Sequence, residues 1–181
     1  VVVGVDEGLF SSDFRGGEKL AQLLVQVAGR AGRARRPGEV WWQTHHPDHP
    51  LLHALIAGGY ESFADAELEQ RQAAGFPPYA HLAMLRAEAP QVEAATAFLR
   101  AARHALEEAA CAGGAPQVEL HGPISAPMPR RAGHYRMQLL LSSAHRRALH
   151  ACLDAALPAL YALPEARRTR WSLDVDPMDL Y

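Results

Sequence analysis

At 181 residues the chain has room for one domain or two small ones, and its 49% hydrophobic content supports a packed core. A 21% charged fraction argues against global disorder, and a net charge of −2 gives no whole-chain attraction to a polyanion. Cys111 and Cys152 stand far apart in apolar helical contexts, which suits buried thiols in a reducing compartment rather than a disulfide framework; no apolar run approaches membrane-spanning length, and no signal-peptide pattern opens the chain.

Val1 to Val5 is a short, nearly all-apolar run, as expected of a strand buried on both faces. Residues 15–29 follow as an amphipathic helix carrying Leu20, Leu23, Leu24 and Val27. Gly38 to Thr44 is a second strand centred on Val40, Trp41 and Trp42. Adjacent strand residues face opposite ways, so one tryptophan belongs to the core and the other is exposed or covered by a neighbouring domain. Pro50 opens a short helix with Leu51, Leu52, Leu55 and Ile56, which Gly58-Gly59 ends. A second helix covers 60–73 and stops at Gly75. Pro77-Pro78-Tyr79 is a rigid turn near which a domain boundary is placed.

Beyond that turn the pattern alternates. A strand at 80–88 precedes a helix at 91–110 whose one face holds Val92, Ala95, Leu99, Ala102 and Leu106. Gln117 to Leu120 is a short strand, Gly122 to Gly133 a proline-rich loop, and 134–142 a strand. A helix at 145–161 follows, with Leu149, Cys152, Leu153, Ala156 and Leu160 on one stripe, and Arg170 to Val175 is the last strand. The order β-α-β-β-α-β is that of a ferredoxin-like split sandwich.

Lys19 is the only lysine, and charge is unevenly spread. No acid lies between Glu18 and Glu39, a window with Lys19, Arg30, Arg33, Arg35 and Arg36. None lies between Glu119 and Asp154, a window with Arg130, Arg131, Arg136, Arg146, Arg147 and four histidines. Such segments on a near-neutral chain point to two local anion-facing surfaces. In the second, alternation puts Tyr135, Met137, Leu139 and Leu141 on the core face and His134, Arg136 and Gln138 on the other, an acid-free row that the preceding loop extends with Arg130 and Arg131. That row suits a nucleic-acid backbone or an acidic partner tail; it is equally the pattern of a solvated sheet face.

The most specific feature is Gln26-Val27-Ala28-Gly29-Arg30-Ala31-Gly32-Arg33. Guanidinium forks fit phosphate oxygens, and glycine permits close approach. If the helix persists, Gln26, Arg30 and Arg33 share one face; if Gly29 and Gly32 end it, the arginines project from its end. The octapeptide resembles motif VI of superfamily 2 helicases, Gln-x-x-Gly-Arg-x-Gly-Arg. Asp6 to Arg15, Gln43 to Leu52, Pro77-Pro78-Tyr79, His121-Gly122-Pro123, Tyr135-Arg136 and Asp174-Val175-Asp176-Pro177 narrow the resemblance to the primosomal protein N′ (PriA) family of replication-restart helicases, over essentially the whole chain.

That resemblance implies an α/β plus α+β chain: residues 1–49 as the end of the second RecA-like lobe, 50–78 as a helical connector, and 79–181 as the family's C-terminal domain. It implies an ATP-dependent 3′→5′ DNA helicase that recognises stalled or branched forks and restarts replication by primosome assembly in the cytoplasm, at the nucleoid. Arg33 would be the arginine finger, with Arg30 and Gln26 supporting the γ-phosphate of ATP held with Mg2+ on the other lobe. Implied partners are branched and single-stranded DNA, the acidic tail of single-stranded DNA-binding protein, and primosome proteins, with no membrane. Arg130, Arg131, His134, Arg136 and Gln138 are the candidate DNA or partner contacts. His134 stands where an arginine is expected, which would make tail binding weaker or pH-sensitive, since histidine titrates near neutrality.

There is no Gly-x-x-x-x-Gly-Lys-[Ser/Thr] loop and no Asp-Glu-x-His box, so the chain is expected to be the C-terminal piece of a longer protein and inactive as an ATPase by itself. The family's zinc-binding cysteines are likewise expected outside it. The contrasting reading is a non-catalytic DNA- or partner-binding module. His45, His46, His49 and His53 match no strong zinc spacing, so no metal site is assigned. Asp174 and Asp176 share a strand face and are expected to pair with Arg167 or Arg168 or to meet a neighbouring domain, not to act as catalytic carboxylates.

Overall fold

The computed structural model describes residues 1–11, 13–31, 39–112 and 117–180. They form two compact units, Val1–Ala74 and Gly75–Tyr181.

In the first unit, α1 (Val5–Leu9), α2 (Gly16–Ala31) and α3 (Pro50–Ala74) surround a small core of Val5, Leu20, Ala21, Leu24, Leu51, Leu52, Leu55 and Phe63. Of the expected strands at 1–5 and 38–44, the described residues show one parallel bridge, Val2 to Trp42; Gly38 lies outside the described residues. Gly4, at φ 74°, turns the chain out of the extended conformation and α1 begins at once. Trp42 packs on the core while Trp41 is exposed. Leu23, expected on the buried stripe, is also exposed.

α2 starts where Asp13 caps it. The Asp13 carbonyl accepts the Gly16 N–H at 2.8 Å, and its carboxylate accepts from Arg15 N–H at 3.1 Å and Lys19 Nζ at 2.7 Å. α3 is two helices joined at Gly59, whose φ of 68° and ψ of −158° are non-helical. A methyl at Gly59 would meet nothing within 4 Å, so the cost of Gly59→Ala is purely conformational, about 1–3 kcal/mol. Thermal unfolding followed by hydrogen exchange of the first unit should show that loss; native protection in the alanine variant would refute it.

The second unit contains β1 (His81–Ala89), α4 (Val92–Ala112), β2 (Glu119–Arg131), β3 (His134–Ser143), α5 (Arg146–Ala162) and β4 (Arg170–Val175), with a 3₁₀ turn at Pro164–Arg168. The sheet is antiparallel with order β2-β3-β1-β4. This α+β unit has the expected β-α-β-β-α-β element order. One face of the sheet packs on α4 and α5: Leu85, Ala87, Leu139 and Leu141 meet Phe98, Leu99, Leu106, Leu149, Cys152 and Leu160. Burial raises the pKa of the Cys152 thiol. Cys111, expected to be buried, is exposed.

The expected loop at 122–133 is part of β2. Its pairing to β3 shifts register between His121 and Ile124 and again between Ser125 and Arg130, and the peptide before Pro123 is cis. Pro123, Pro127 and Pro129 argue against a central strand, but β2 is an edge, where missing N–H groups cost little. Ala132 and Gly133, at φ 48° and 81°, form the tight turn into β3.

Candidate functional site

α2 runs unbroken through Gly29 to Ala31, so the helix persists past the first glycine of the octapeptide. Leu20, Ala21 and Leu24 bury one side of it, which leaves Gln26 and Arg30, at i and i+4, together on the exposed side. Among the described residues neither has an ion-pair or side-chain hydrogen-bond partner. Arg33, with Gly32, Arg35 and Arg36, lies outside the described residues.

The helix is fastened from α3. Arg71, whose side chain is 11% exposed, donates from Nε to Glu67 at 3.1 Å and from Nη2 to Glu18 at 3.0 Å. It also donates to the Phe14 carbonyl at 3.3 Å and lies 5.4 Å from the centre of the Phe14 ring. This clamp spans more than fifty positions of sequence (Arg71 to Glu18 is 53), which is why periodicity did not reveal it.

Asp6 ties the segment before α2 to the segment after it. Its carboxylate accepts from the Thr44 hydroxyl and from the His45 N–H at 2.9 Å, and these two bonds hold it below the usual aspartate range. His46 and His49 face the exposed ring of Phe10 edge-on, at 4.7 and 5.6 Å, and His53 stands 3.8 Å from Asp48.

In the second unit the expected row on β3 is only partly assembled. Register places Arg131 opposite His134 and Ile124 opposite Gln138, so these share the sheet face turned away from α4 and α5 with Arg136. Arg130 pairs with Tyr135, lies 5.2 Å from its ring and belongs to the other face. The row is not acid-free: β1 brings Glu88 opposite Arg136, and Arg136 Nε donates to it at 3.0 Å. The windows counted along the chain could not see an acid supplied by a neighbouring strand.

Gln138 is buried, 6% exposed, and among the described residues its Oε1 has no hydrogen-bond partner. Ile124, beside it on β2, is exposed. His134 is exposed, with Nδ1 3.1 Å from the Ala132 carbonyl. Across the sheet Arg86 takes Asp174 at 2.9 Å and the Asp179 carbonyl at 3.0 Å, so Asp174 does not pair with Arg167 or Arg168 as expected; Asp176 reaches Arg146 at 3.4 Å. Glu88 and Ile124 are the members of this face that the sequence reading missed. The alternation of β1 was the available signal for Glu88, whereas Ile124 sat in the segment expected to be a loop.

Comparison with known proteins bears on both units. The family model for the primosomal protein N C-terminal domain matches residues 72–178. The replication restart protein PriA of Haemophilus influenzae is 43% identical over 179 residues, covering 99% of this chain and 24% of that protein. The Bacillus subtilis protein of the same name is 32% identical over 97% of this chain and 21% of its own length. The Treponema pallidum protein is 40% identical over 75% of this chain and 20% of its own. The chain thus spans about a quarter of the length of the first of these relatives. A domain model covering more than half of the residues, and similarity that runs on through the arginine-bearing helix, carry one conclusion: the chain belongs to the primosomal protein N′ (PriA) family of replication restart proteins.

Proposed function

We propose that this chain is the C-terminal portion of an ATP-dependent 3′→5′ DNA helicase that acts at stalled or branched forks, in the cytoplasm at the nucleoid, and restarts replication by primosome assembly. The observation that carries the reading is the pair Gln26 and Arg30, exposed on one face of α2 whose opposite face is buried, with no ion pair to Arg30 among the described residues. A guanidinium kept free of carboxylates on a packed helix is suited to an anion arriving from outside the unit. These residues fit the half of an ATP site that reaches across a cleft, with Arg33 next in the motif; the bound nucleotide and Mg2+ would be held by another lobe. ATP supplies the phosphoanhydride whose cleavage drives movement. Gln26 and Arg30 orient its outer phosphate, and an arginine finger neutralises charge that grows in the transition state. The RecA-like character of residues 1–49 and the connector role of 50–78 belong to this proposal.

The test is unwinding of a forked duplex by the full-length protein with ATP and Mg2+. No strand separation on a substrate with a 3′-ended tail would overturn it. The isolated chain is expected to turn over no ATP.

The second unit is proposed as the docking platform of that helicase, contacting DNA or the acidic tail of single-stranded DNA-binding protein through Arg131, His134, Arg136 and Gln138, with Arg130 at the rim. Exposed Ile124 beside Arg131, His134 and Arg136 on one sheet face suits an extended peptide that brings carboxylates and an apolar side chain. In a titration of tail peptide into this chain, Arg136→Ala and Gln138→Ala should each weaken binding about five- to tenfold, the worth of one hydrogen bond near 1 kcal/mol. Equal affinity in both variants would rule this face out.

A further inference from the structure

Beyond β4 the chain turns back on its own sheet. Asp176, at φ 54°, takes it out of the strand, and the Asp176 N–H donates to the Leu82 carbonyl at 2.9 Å. Pro177 comes next and has no N–H, so it cannot continue the ladder. The following residues return to β1. Arg86 Nη2 donates to the Asp179 carbonyl at 3.0 Å and stands 3.7 Å from the Asp179 carboxylate. Pro177 and Leu180 are buried, whereas Met178 is exposed. Residues 176–180 thus form a strap, held by one guanidinium and two buried apolar residues.

The place where the strap is held gives it a role. Register sets Arg86 opposite Gln138, and the next pair on the same face is Glu88 with Arg136. Arg86 therefore belongs to the sheet face turned away from α4 and α5, within the platform proposed above. The strap reads Asp-Pro-Met-Asp-Leu, carboxylates joined to apolar side chains. That is the chemistry of the acidic tail assigned to the platform as its partner.

The hold is modest. Asp179 is 50% exposed, and an ion pair as long as 3.7 Å at that exposure is screened by water. The other contact is a single hydrogen bond to a neutral carbonyl. Arg86 Nη1 meanwhile donates to Asp174 at 2.9 Å, so the guanidinium stays in place when the strap leaves and its Nη2 edge changes hands. Weak contacts suffice for a tethered segment, because its effective concentration is high.

We propose that residues 176–180 are a built-in competitor of the β3 platform. The strap occupies Arg86 until an acidic peptide with an apolar residue displaces it, and Arg86 then becomes a further contact of that peptide. The inference rests on the platform reading and adds its regulation. Apparent affinity for the peptide is lowered in proportion to the fraction of chains with the strap open.

The experiment is fluorescence anisotropy of a labelled Asp-Asp-Asp-Leu peptide titrated with the full 181-residue chain. The double variant Asp179→Ala, Leu180→Ala should bind about tenfold tighter than the native chain, as for a strap closed in about nine chains of ten. Leu180→Ala alone, which changes no charge, should give part of that gain. Arg86→Gln in the double-variant background should lose most of it. In the native chain, the Leu180 methyl resonances should move to those of a solvated leucine as the peptide saturates. A segment that only supports the fold predicts the opposite sign, since loosening it would leave affinity unchanged or lower it. Near-ultraviolet dichroism checks the fold of each variant; where the double variant fails that check, the methyl shift in the native chain decides. No gain in the double variant, a gain confined to loss of the Asp179 charge, no effect of Arg86→Gln, or unmoved Leu180 resonances at saturation would each overturn the strap and leave the platform standing. Absence of binding by native and variant chains alike would remove both.

Discussion

Arg33→Ala in the full-length protein is expected to lower kcat for ATP hydrolysis about 10³-fold with little change in KM, the signature of an interaction made mainly in the transition state. Arg30→Ala should cost less, on the order of 10²-fold, because in its proposed role, orienting the phosphate, it would work in the ground state as well. For Arg30 the physical basis is the geometry of α2; for Arg33, outside the described residues, it is the proposed arginine-finger role. Burial of Leu20, Ala21 and Leu24 fixes the rotation of the helix, and that rotation leaves Gln26 and Arg30 outward, Arg30 without an ion pair among the described residues. Steady-state kinetics with saturating DNA separate the outcomes. A kcat within a few-fold of native in Arg33→Ala would remove the arginine-finger assignment, even if the protein still unwinds DNA.

Arg71→Ala is expected to destabilise the first unit by about 3 kcal/mol, the usual scale when one partner of a poorly hydrated ion pair is removed. Glu67, 12% exposed, loses its counter-ion, and the Phe14 carbonyl loses its side-chain donor. Glu18 is 34% exposed and recovers part of its solvation, which keeps the estimate at the low end of that scale. Native-state hydrogen exchange reads the effect by unit. Amides of α2 and of the second half of α3 should lose protection, while those of β1 and β3 should not. Arg71→Lys should recover only part of the stability, since a single ammonium cannot reproduce a planar fork that serves two carboxylates and a carbonyl. Unchanged protection of α2 in Arg71→Ala would show that the clamp is not what holds the helix.

The two units were unequally legible for a common reason. Where an element covers a core with its own repeat, the sequence is enough. Ala95, Leu99, Ala102 and Leu106 on α4, and Leu149, Cys152, Leu153, Ala156 and Leu160 on α5, are buried as their spacing predicts. Val1 to Val5 instead looked like a strand from composition alone, and the backbone turn at Gly4 overrode it. The prolines of β2 looked like a loop because proline cannot sit in a central strand. Whether a strand is central or edge is a property of sheet order, which no local window contains.

The same division runs through the candidate sites. The octapeptide and its flanking segments pointed to the family through their resemblance to its motifs; residue types and spacing by themselves supported only a phosphate-facing helix end. Charge counted along the chain, however, treated Arg136 as unopposed, and only strand pairing set Glu88 against it. Gln138 was read as surface, and the packing of the sheet buried it with an acceptor unmet among the described residues. Phe98, Trp171 and Tyr161 meet ring to ring from three elements whose order in sequence gives no hint of contact. Covalent spacing thus determined the helices, and resemblance of the arginine motif and its flanks pointed to the family. Which charges are neutralised, which amide is unsatisfied and which rings meet were decided by tertiary structure alone, because each depends on groups far apart in sequence.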